Sequence, residues 1–148
     1  MTQPKVWVFF YGSYMNLKVL KEVEIIIEHW EVAKLNGFDI KIEPRANVVY
    51  SNQYCVYGIV TKATHQELTR LYSHAENILG EIYLPQAVIV ETLDNKSQPA
   101  LCYICPNMVS RPASRDYIDR IVTPAKEFNF PQWYIDRLES FYSNYVAS

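Results

Sequence analysis

The N-terminal pattern of apolar residues predicts a buried strand, a tight turn and a helix. The segment KVWVFFY at 5–11 is almost continuously apolar, which is typical of a strand buried on both faces. A turn follows directly, and Asn16 can cap a helix whose apolar positions have helical spacing: Leu17, Leu20, Val23 and Ile27. The next run, EIIIEHWEV, suits a helix or a strand, because its three consecutive isoleucines also favour strands.

The middle of the chain predicts a hairpin, a further strand and a second helix. Asn36-Gly37 is a strong hairpin-turn signal inside VAKLNGFDIKI, whose residues alternate as paired strands do. The segment YCVYGIVTKA at 54–63 predicts another strand. Thr64 and Glu67 have the spacing of a capping box, so a helix is expected to begin there.

The C-terminal half predicts two strands followed by two helices. The segments 82–93 and 99–105 are expected to be strands joined by the polar turn DNKSQ, and helices are expected after Ser114 and Pro131. Because strands mostly precede helices, we expect an α+β fold around an antiparallel or mixed sheet that can close into a small barrel. At 148 residues the chain has the usual size of one domain, so we predict a single domain over 1–148.

Composition and charge restrict the class of partner. Hydrophobic residues make up 49% of the chain and charged residues 20%, which predicts a compact protein. The formal charge is −2 with no basic block, so neither nucleic acid nor an anionic membrane surface is an expected partner. No apolar run approaches the roughly 20 residues that cross a bilayer, and no signal-peptide pattern opens the chain. We expect a cytoplasmic protein with a small-molecule ligand.

The three cysteines predict reduced thiols rather than a disulfide framework. Cys102 and Cys105 form a C-x-x-C pair, but within a predicted strand residues three apart point to opposite faces. No second cysteine pair or histidine completes a zinc site. We therefore predict neither a metal ion nor a cofactor.

The turn after the first strand, YGSYM, is the first candidate site. It lacks the further glycines and the Lys-Ser/Thr of a phosphate loop, and Ser13 lacks the flanking glycines of a nucleophile elbow. A strand-Gly-Ser-helix order can still present free backbone N–H groups to a carboxylate. The alternative is an ordinary turn, in which Gly12 adopts a positive φ and Ser13 caps the helix.

The segment LYSHAENILGEIY at 71–83 is the second candidate. Glu76 follows the predicted helix and Glu81 lies just before a strand. Either can be a solvated surface carboxylate, the usual fate of glutamate, or a general base at the edge of a pocket. His74 is the only histidine near these groups, and no Ser-His-Asp or Cys-His-Asn set can be assembled around it.

Taken in order, several motifs resemble the γ-glutamylcyclotransferase superfamily, including its AIG2-like members. Its Y-G-S-[NYF]-[LM] turn matches residues 11–15, and its A-x-L-x-G-[FY] and V-[YW]-G-x-[VL] strands match AKLNGFDI and VYGIVTKAT. The tail from RPAS to WYIDRL is also similar to that of the family. The resemblance covers nearly the whole chain.

The resemblance implies a γ-glutamylcyclotransferase-like fold, a mixed or antiparallel β-barrel with peripheral helices, and allows for a homodimer. It also implies one catalytic glutamate in an L-D-x-[YF]-E-G segment, for which Glu76 is the best match and Glu81 the alternative. Here Tyr72 replaces the aspartate, Asn77 replaces the glycine, and the interval from Leu71 to Glu76 is one residue longer than usual. The substrate-binding residues implied are Tyr11, Gly12, Ser13, Tyr14, Met15, Tyr83, Tyr103 and Tyr117.

The chemistry that the resemblance implies is cyclisation of a γ-glutamyl amide or peptide to 5-oxoproline with release of the amine. The substrate's own α-amine attacks its γ-carbonyl, so positioning supplies much of the rate advantage and one carboxyl group can move the proton. The alternative is a catalytically inactive member that binds a γ-glutamyl or carboxylate metabolite. Each tyrosine taken alone is equally compatible with a packing role.

Overall fold

Five strands form a closed barrel in the computed structural model of the protein, which describes residues 3–144 and the side chains of 3–142. The strands are β1 (Lys5–Phe10), β2 (Trp30–Ile42), β3 (Ala46–Thr64), β4 (Leu84–Thr92) and β5 (Ser97–Ile104). Their order around the barrel is β1-β3-β2-β4-β5, and all neighbours are antiparallel except β1 and β5. This confirms the predicted α+β fold with a small mixed barrel. The predicted domain limits, 1 and 148, lie outside the described residues.

Within residues 3–144, four α-helices surround the barrel: α1 (Leu17–Glu22), α2 (His65–Leu79), α3 (Arg115–Glu127) and α4 (Gln132–Glu139). Short 3-10 segments, Ser13–Met15 and Ser140–Asn144, precede α1 and follow α4. Of the described helices, none combines the length and the apolar composition needed to cross a membrane.

The predicted helix starts are confirmed by their caps. The Asn16 side chain accepts a hydrogen bond from the Lys18 N–H, although α1 ends at Glu22, sooner than the apolar spacing predicted. Thr64 and Glu67 form both bonds of a capping box at 3.0 and 2.9 Å, which fixes the start of α2.

The hairpin predicted at Asn36-Gly37 is wrong, because β2 runs straight through it. Asn36 pairs with Cys55 and Phe38 with Tyr50, so the single residue Gly37, at φ +85°, lies opposite four residues of β3. The irregularity is a bulge rather than a reversal. The chain reverses instead at 43–45, where Ile42 pairs with Ala46 across a short connection that contains a cis Glu43-Pro44 bond.

Helices α3 and α4 are held to β2 and β3 by aromatic contacts and one ion pair. The Trp30 ring lies 4.8 Å from Phe128, and the Tyr57 ring lies 5.3 Å from Tyr134. The Arg137 guanidinium of α4 binds the Asp39 carboxylate of β2 through two nitrogens, the closer at 2.8 Å. Together these contacts hold the C-terminal end of α3 and helix α4 against the barrel.

Gly58 allows β3 to approach the end of β1, which leads to a test of the barrel. A methyl group on Gly58 would stand 2.2 Å from the Phe10 carbonyl oxygen, a backbone atom that cannot give way alone. We expect Gly58→Ala to lower the free energy of unfolding in urea by about 2–3 kcal/mol. Gly37→Ala is the control: it meets open space and only the strain of φ +85°, so about 1 kcal/mol is expected. Equal losses in the two variants would contradict this account.

Candidate functional site

The turn after β1 is a single 3-10 turn whose own hydrogen bonds leave its first backbone N–H groups unused. The Met15 N–H donates to the Gly12 carbonyl at 3.1 Å, and the Asn16 N–H donates to the Ser13 carbonyl at 3.0 Å. The N–H groups of Ser13 and Tyr14 have no partner inside the turn, as expected for the first residues of a helical segment. Met15 itself is fully buried in the core and its N–H is already used, so its place is structural.

Gly12 is required by close packing and not by a positive φ. Its φ is −108°, and a methyl group there would stand 2.6 Å from the Cβ of Ala46. Ser13 does not cap the helix, since Asn16 has that role. Both parts of the ordinary-turn interpretation are therefore wrong: the glycine is there so that the turn can touch the start of β3.

The backbone N–H and carbonyl of Ala46 each form a hydrogen bond with a tyrosine hydroxyl. Its N–H donates to the Tyr117 hydroxyl at 2.9 Å, and its carbonyl accepts a hydrogen bond from the Tyr83 hydroxyl. Tyr117 lies in the first turn of α3, whose cap Ser114 accepts from the Tyr117 N–H at 3.2 Å. Tyr83 lies just before β4. The two bonds tie α3 and the start of β4 to the β2–β3 connection.

A small pocket lies where these segments meet. Its volume is about 30 Å³. Seven of the eight residues predicted to bind substrate line it: Tyr11, Gly12, Ser13, Tyr14, Tyr83, Tyr103 and Tyr117. The remaining wall comes from Phe10, Ala46, Tyr72, Ala75 and Leu79. The Tyr72 and Tyr103 rings stack at 3.8 Å with an angle of 10° between them and close one side.

The tyrosine hydroxyls of the pocket are neutral, and three of them already donate a hydrogen bond to a backbone carbonyl. Burial raises the pKa of the phenol of Tyr11, Tyr14, Tyr72, Tyr83, Tyr103 and Tyr117 above the usual value. They therefore stay protonated near neutral pH and cannot act as bases. Tyr11 donates to the Tyr103 carbonyl at 2.6 Å and Tyr14 to the Leu71 carbonyl at 3.2 Å, so with Tyr83 they can only accept hydrogen bonds from a ligand.

Helix α2 presents Ala75, and not Glu76, to the pocket. Leu68, Leu71 and Ala75 form its buried face, with Ala75 only 1% exposed. Successive residues of a helix are rotated by about 100°, so Glu76 is exposed and does not line the pocket. In the family segment the glutamate stands four positions after the leucine. Counted from Leu71, that position is occupied by Ala75. The catalytic role of Glu76 stays a prediction, and its placement does not support it.

Glu81 is buried, but it is also absent from the residues that line the pocket. It is 8% exposed, accepts a hydrogen bond from the Cys105 thiol at 3.7 Å and lies 3.6 Å from the Arg111 guanidinium. Burial and the Glu81 carboxylate both raise the pKa of the Cys105 thiol. The Glu81 carboxylate thus has structural partners of its own.

An outer groove of about 480 Å³ continues from the pocket and shares Ser13, Tyr14 and Tyr117 with it. Arg45 and His74 also line this groove, and the Arg45 guanidinium lies 4.7 Å from the centre of the Tyr117 ring. Sequence reasoning missed Arg45, because nothing local marks the residue after Pro44.

The placement of Tyr72 and Ala75 could have been found from the sequence. Leu68, Tyr72, Ala75 and Leu79 have the spacing of one helical face, which excludes Glu76.

Comparison with known proteins agrees with the fold. In the solved structures, a protein named gamma-glutamyl cyclotransferase superposes with a TM-score of 0.79 at 23% identity, over 92% of this chain and 87% of that one. An uncharacterised protein from Homo sapiens superposes with a TM-score of 0.80 at 24% identity, over 91% and 86%. A glutathione-specific gamma-glutamyl cyclotransferase from yeast gives 0.65 at 14%, over 95% and 96%. The architecture is therefore that of the γ-glutamylcyclotransferase-like proteins.

The sequence pattern that defines the AIG2-like family matches residues 55–138, which is more than half of the chain. The chain belongs to the AIG2-like family. A search of curated proteins gives no match.

The bond between Tyr117 and Ala46 can be tested by Tyr117→Phe. The change leaves a buried N–H without a partner, and we expect the free energy of unfolding to fall by about 1–3 kcal/mol. Tyr50→Phe is the control, since the Tyr50 side chain is 79% exposed and a change below about 0.5 kcal/mol is expected. Urea unfolding followed by circular dichroism measures both. A loss no larger than that of the control would show that the bond does not hold the connection.

Proposed function

We propose that the protein binds the amino-acid end of a small γ-glutamyl compound at the tyrosine pocket and its outer groove. The observation that supports this most is the convergence of the YGSYM turn and six tyrosines on one pocket. Binding alone requires no proton transfer by the protein, and the neutral tyrosine hydroxyls of the pocket are compatible with such a role.

The hydrogen-bonding pattern suits a group that is both ammonium and carboxylate. The hydroxyl oxygens of Tyr11, Tyr14 and Tyr83 can only accept, and an ammonium donates three hydrogen bonds. The N–H groups of Ser13 and Tyr14 can only donate, and a carboxylate accepts them. An α-amino acid carries both groups on one carbon, so one ligand can use both kinds of hydrogen-bonding group.

The available space is consistent with a small metabolite. The pocket admits only a group of about one water in size, while the adjoining groove of about 480 Å³ lies within the range of roughly 300–1,000 Å³ for small-molecule sites. The bulk of the ligand would therefore lie in the groove.

The second candidate function is the cyclotransferase reaction itself. It is favoured by the likeness in fold to proteins named gamma-glutamyl cyclotransferases. The substrate ammonium first loses a proton, and the resulting amine attacks its own γ-carbonyl carbon. The bond from that carbon to the leaving amine then breaks, and in all two protons pass from the attacking nitrogen to the leaving amine, which departs as an ammonium. A carboxylate can carry these protons as general base and then general acid, and in the part of the chain that the structure describes none lines the pocket. Glu76 or Glu81 would first have to turn towards it.

Calorimetry with γ-glutamylglycine tests the first function, with α-glutamylglycine as the isomeric control. We expect the γ-isomer to bind at least tenfold more tightly and to be recovered intact, with no 5-oxoproline by mass spectrometry. Equal affinities would overturn the proposed ligand. Release of 5-oxoproline from γ-glutamylglycine, other γ-glutamyl amino acids, γ-glutamylamines or glutathione would establish the second function instead.

Glu76→Gln separates the two functions at the level of one residue. Because Glu76 is exposed and off the pocket, we expect the affinity for γ-glutamylglycine and the free energy of unfolding to stay nearly unchanged, the latter within about 0.5 kcal/mol. If the wild type turns substrate over and this variant loses about 10²-fold in kcat with little change in KM, Glu76 is the acid/base. The same loss in Glu81→Gln would assign that role to Glu81.

Ala75→Glu tests whether a carboxylate on the pocket wall is what the wild type would lack for turnover. The new side chain would enter the pocket from α2, and we expect it to raise 5-oxoproline release at least about 10²-fold above the wild type, a typical contribution of a general base. Ala75→Gln has the same size without the base and should show no gain. A thermal melt of both variants checks that the larger side chain is tolerated.

A further inference from the structure

Arg45 is placed so that its charge faces the ligand site. It is the last residue of the connection between β2 and β3 and directly precedes Ala46. Because two tyrosine hydroxyls bind the Ala46 backbone, the backbone position of Arg45 is fixed as well. The side chain is half-buried, and its guanidinium lies over the Tyr117 ring at 4.7 Å from the ring centre. An arginine stacked on an aromatic ring loses little further freedom when its N–H fork binds an anion.

Neighbouring arginines have carboxylate partners, whereas no described residue forms an ion pair with Arg45. Arg111 lies 3.6 Å from Glu81, and Arg120, in the same groove, lies 3.8 Å from Glu22. Among residues 3–142 no ion pair joins Arg45 to a carboxylate. A half-buried guanidinium without a counter-charge is a favourable position for an anionic ligand group.

The groove connects this charge to the pocket. Arg45, Ser13, Tyr14 and Tyr117 all line it, so a ligand whose amino-acid end reaches the turn passes beside Arg45 on its way out. The groove also holds Glu22, which is paired with Arg120, and the exposed Asp116 at the start of α3. Arg45 is the groove arginine whose guanidinium contacts the shared wall at Tyr117 and which has no ion pair among the described residues.

We propose that Arg45 is a specificity-determining residue that binds a second carboxylate of the ligand, beyond the γ-glutamyl part. This inference rests on the proposed function and narrows its ligand class. The ligands are γ-glutamyl compounds whose amine part carries a carboxylate, as γ-glutamyl amino acids and peptides do. γ-Glutamyl alkylamines, which lack it, bind weakly.

The test compares two ligands that differ only in this carboxylate, γ-glutamylglycine and γ-glutamyl methylamide. For the wild type we expect calorimetry to show at least a tenfold preference for γ-glutamylglycine. In Arg45→Gln the affinity for γ-glutamylglycine should fall to that for the methylamide, while the affinity for the methylamide stays within twofold. Arg120→Gln, which removes a charge that is already paired in the same groove, should keep the preference.

Arg45→Met is a second variant that controls for loss of folding. It keeps an unbranched side chain over the Tyr117 ring but removes the charge. A thermal melt of both Arg45 variants accompanies the titrations. If a folded Arg45 variant keeps a tenfold preference, or if the wild type binds both ligands equally, the role of Arg45 is overturned and the proposed function stands. If the wild type binds neither ligand, the proposed function is overturned and this inference with it.

Discussion

The backbone amide of Ala46, held between the hydroxyls of Tyr117 and Tyr83, is the constraint on which the site depends. Buried backbone N–H and carbonyl groups must have hydrogen-bond partners, so the position of Ala46 also determines the positions of both tyrosine hydroxyls. Because Gly12 packs against the Ala46 side chain, the turn after β1 is fixed as well. One residue at the start of β3 thus brings together segments that are distant in sequence, and the pocket is the space left between them.

The same bonds decide the chemistry of the pocket. Hydroxyls that donate to backbone carbonyls turn only their oxygen lone pairs towards a ligand, and burial keeps the phenols protonated. The pocket is therefore neutral, which avoids the cost of burying an unpaired charge. Charge is found outside, in the groove, where Arg45 remains partly hydrated. The hydrogen-bonding groups of the pocket and the charge of the groove are therefore separated in space.

The rotation of α2 decides whether this scaffold carries a proton-transferring group. Its capping box at Thr64 and Glu67 sets where the helix begins, and the buried Leu68 and Leu71 set the face that it turns towards the barrel. With both fixed, Ala75 faces the pocket and Glu76 faces solvent. A difference of one residue in the interval after Leu71 is sufficient to exchange a carboxylate for a methyl group at that wall.

The sequence by itself determined the features that depend on neighbours along the chain. The Asn16 and Thr64 caps, the strands of the C-terminal half and the α+β class follow from local hydrogen bonds and from the spacing of apolar residues, which operate over a few positions. Asn36-Gly37 shows the limit: its local preference is a turn, but long pairing with β3 on both sides makes it a bulge. The hydrogen bonds of Ala46 with Tyr117 and Tyr83 and the position of Arg45 over the Tyr117 ring were decided only by tertiary structure. Each depends on which segments meet when the barrel closes, and no local pattern contains that information.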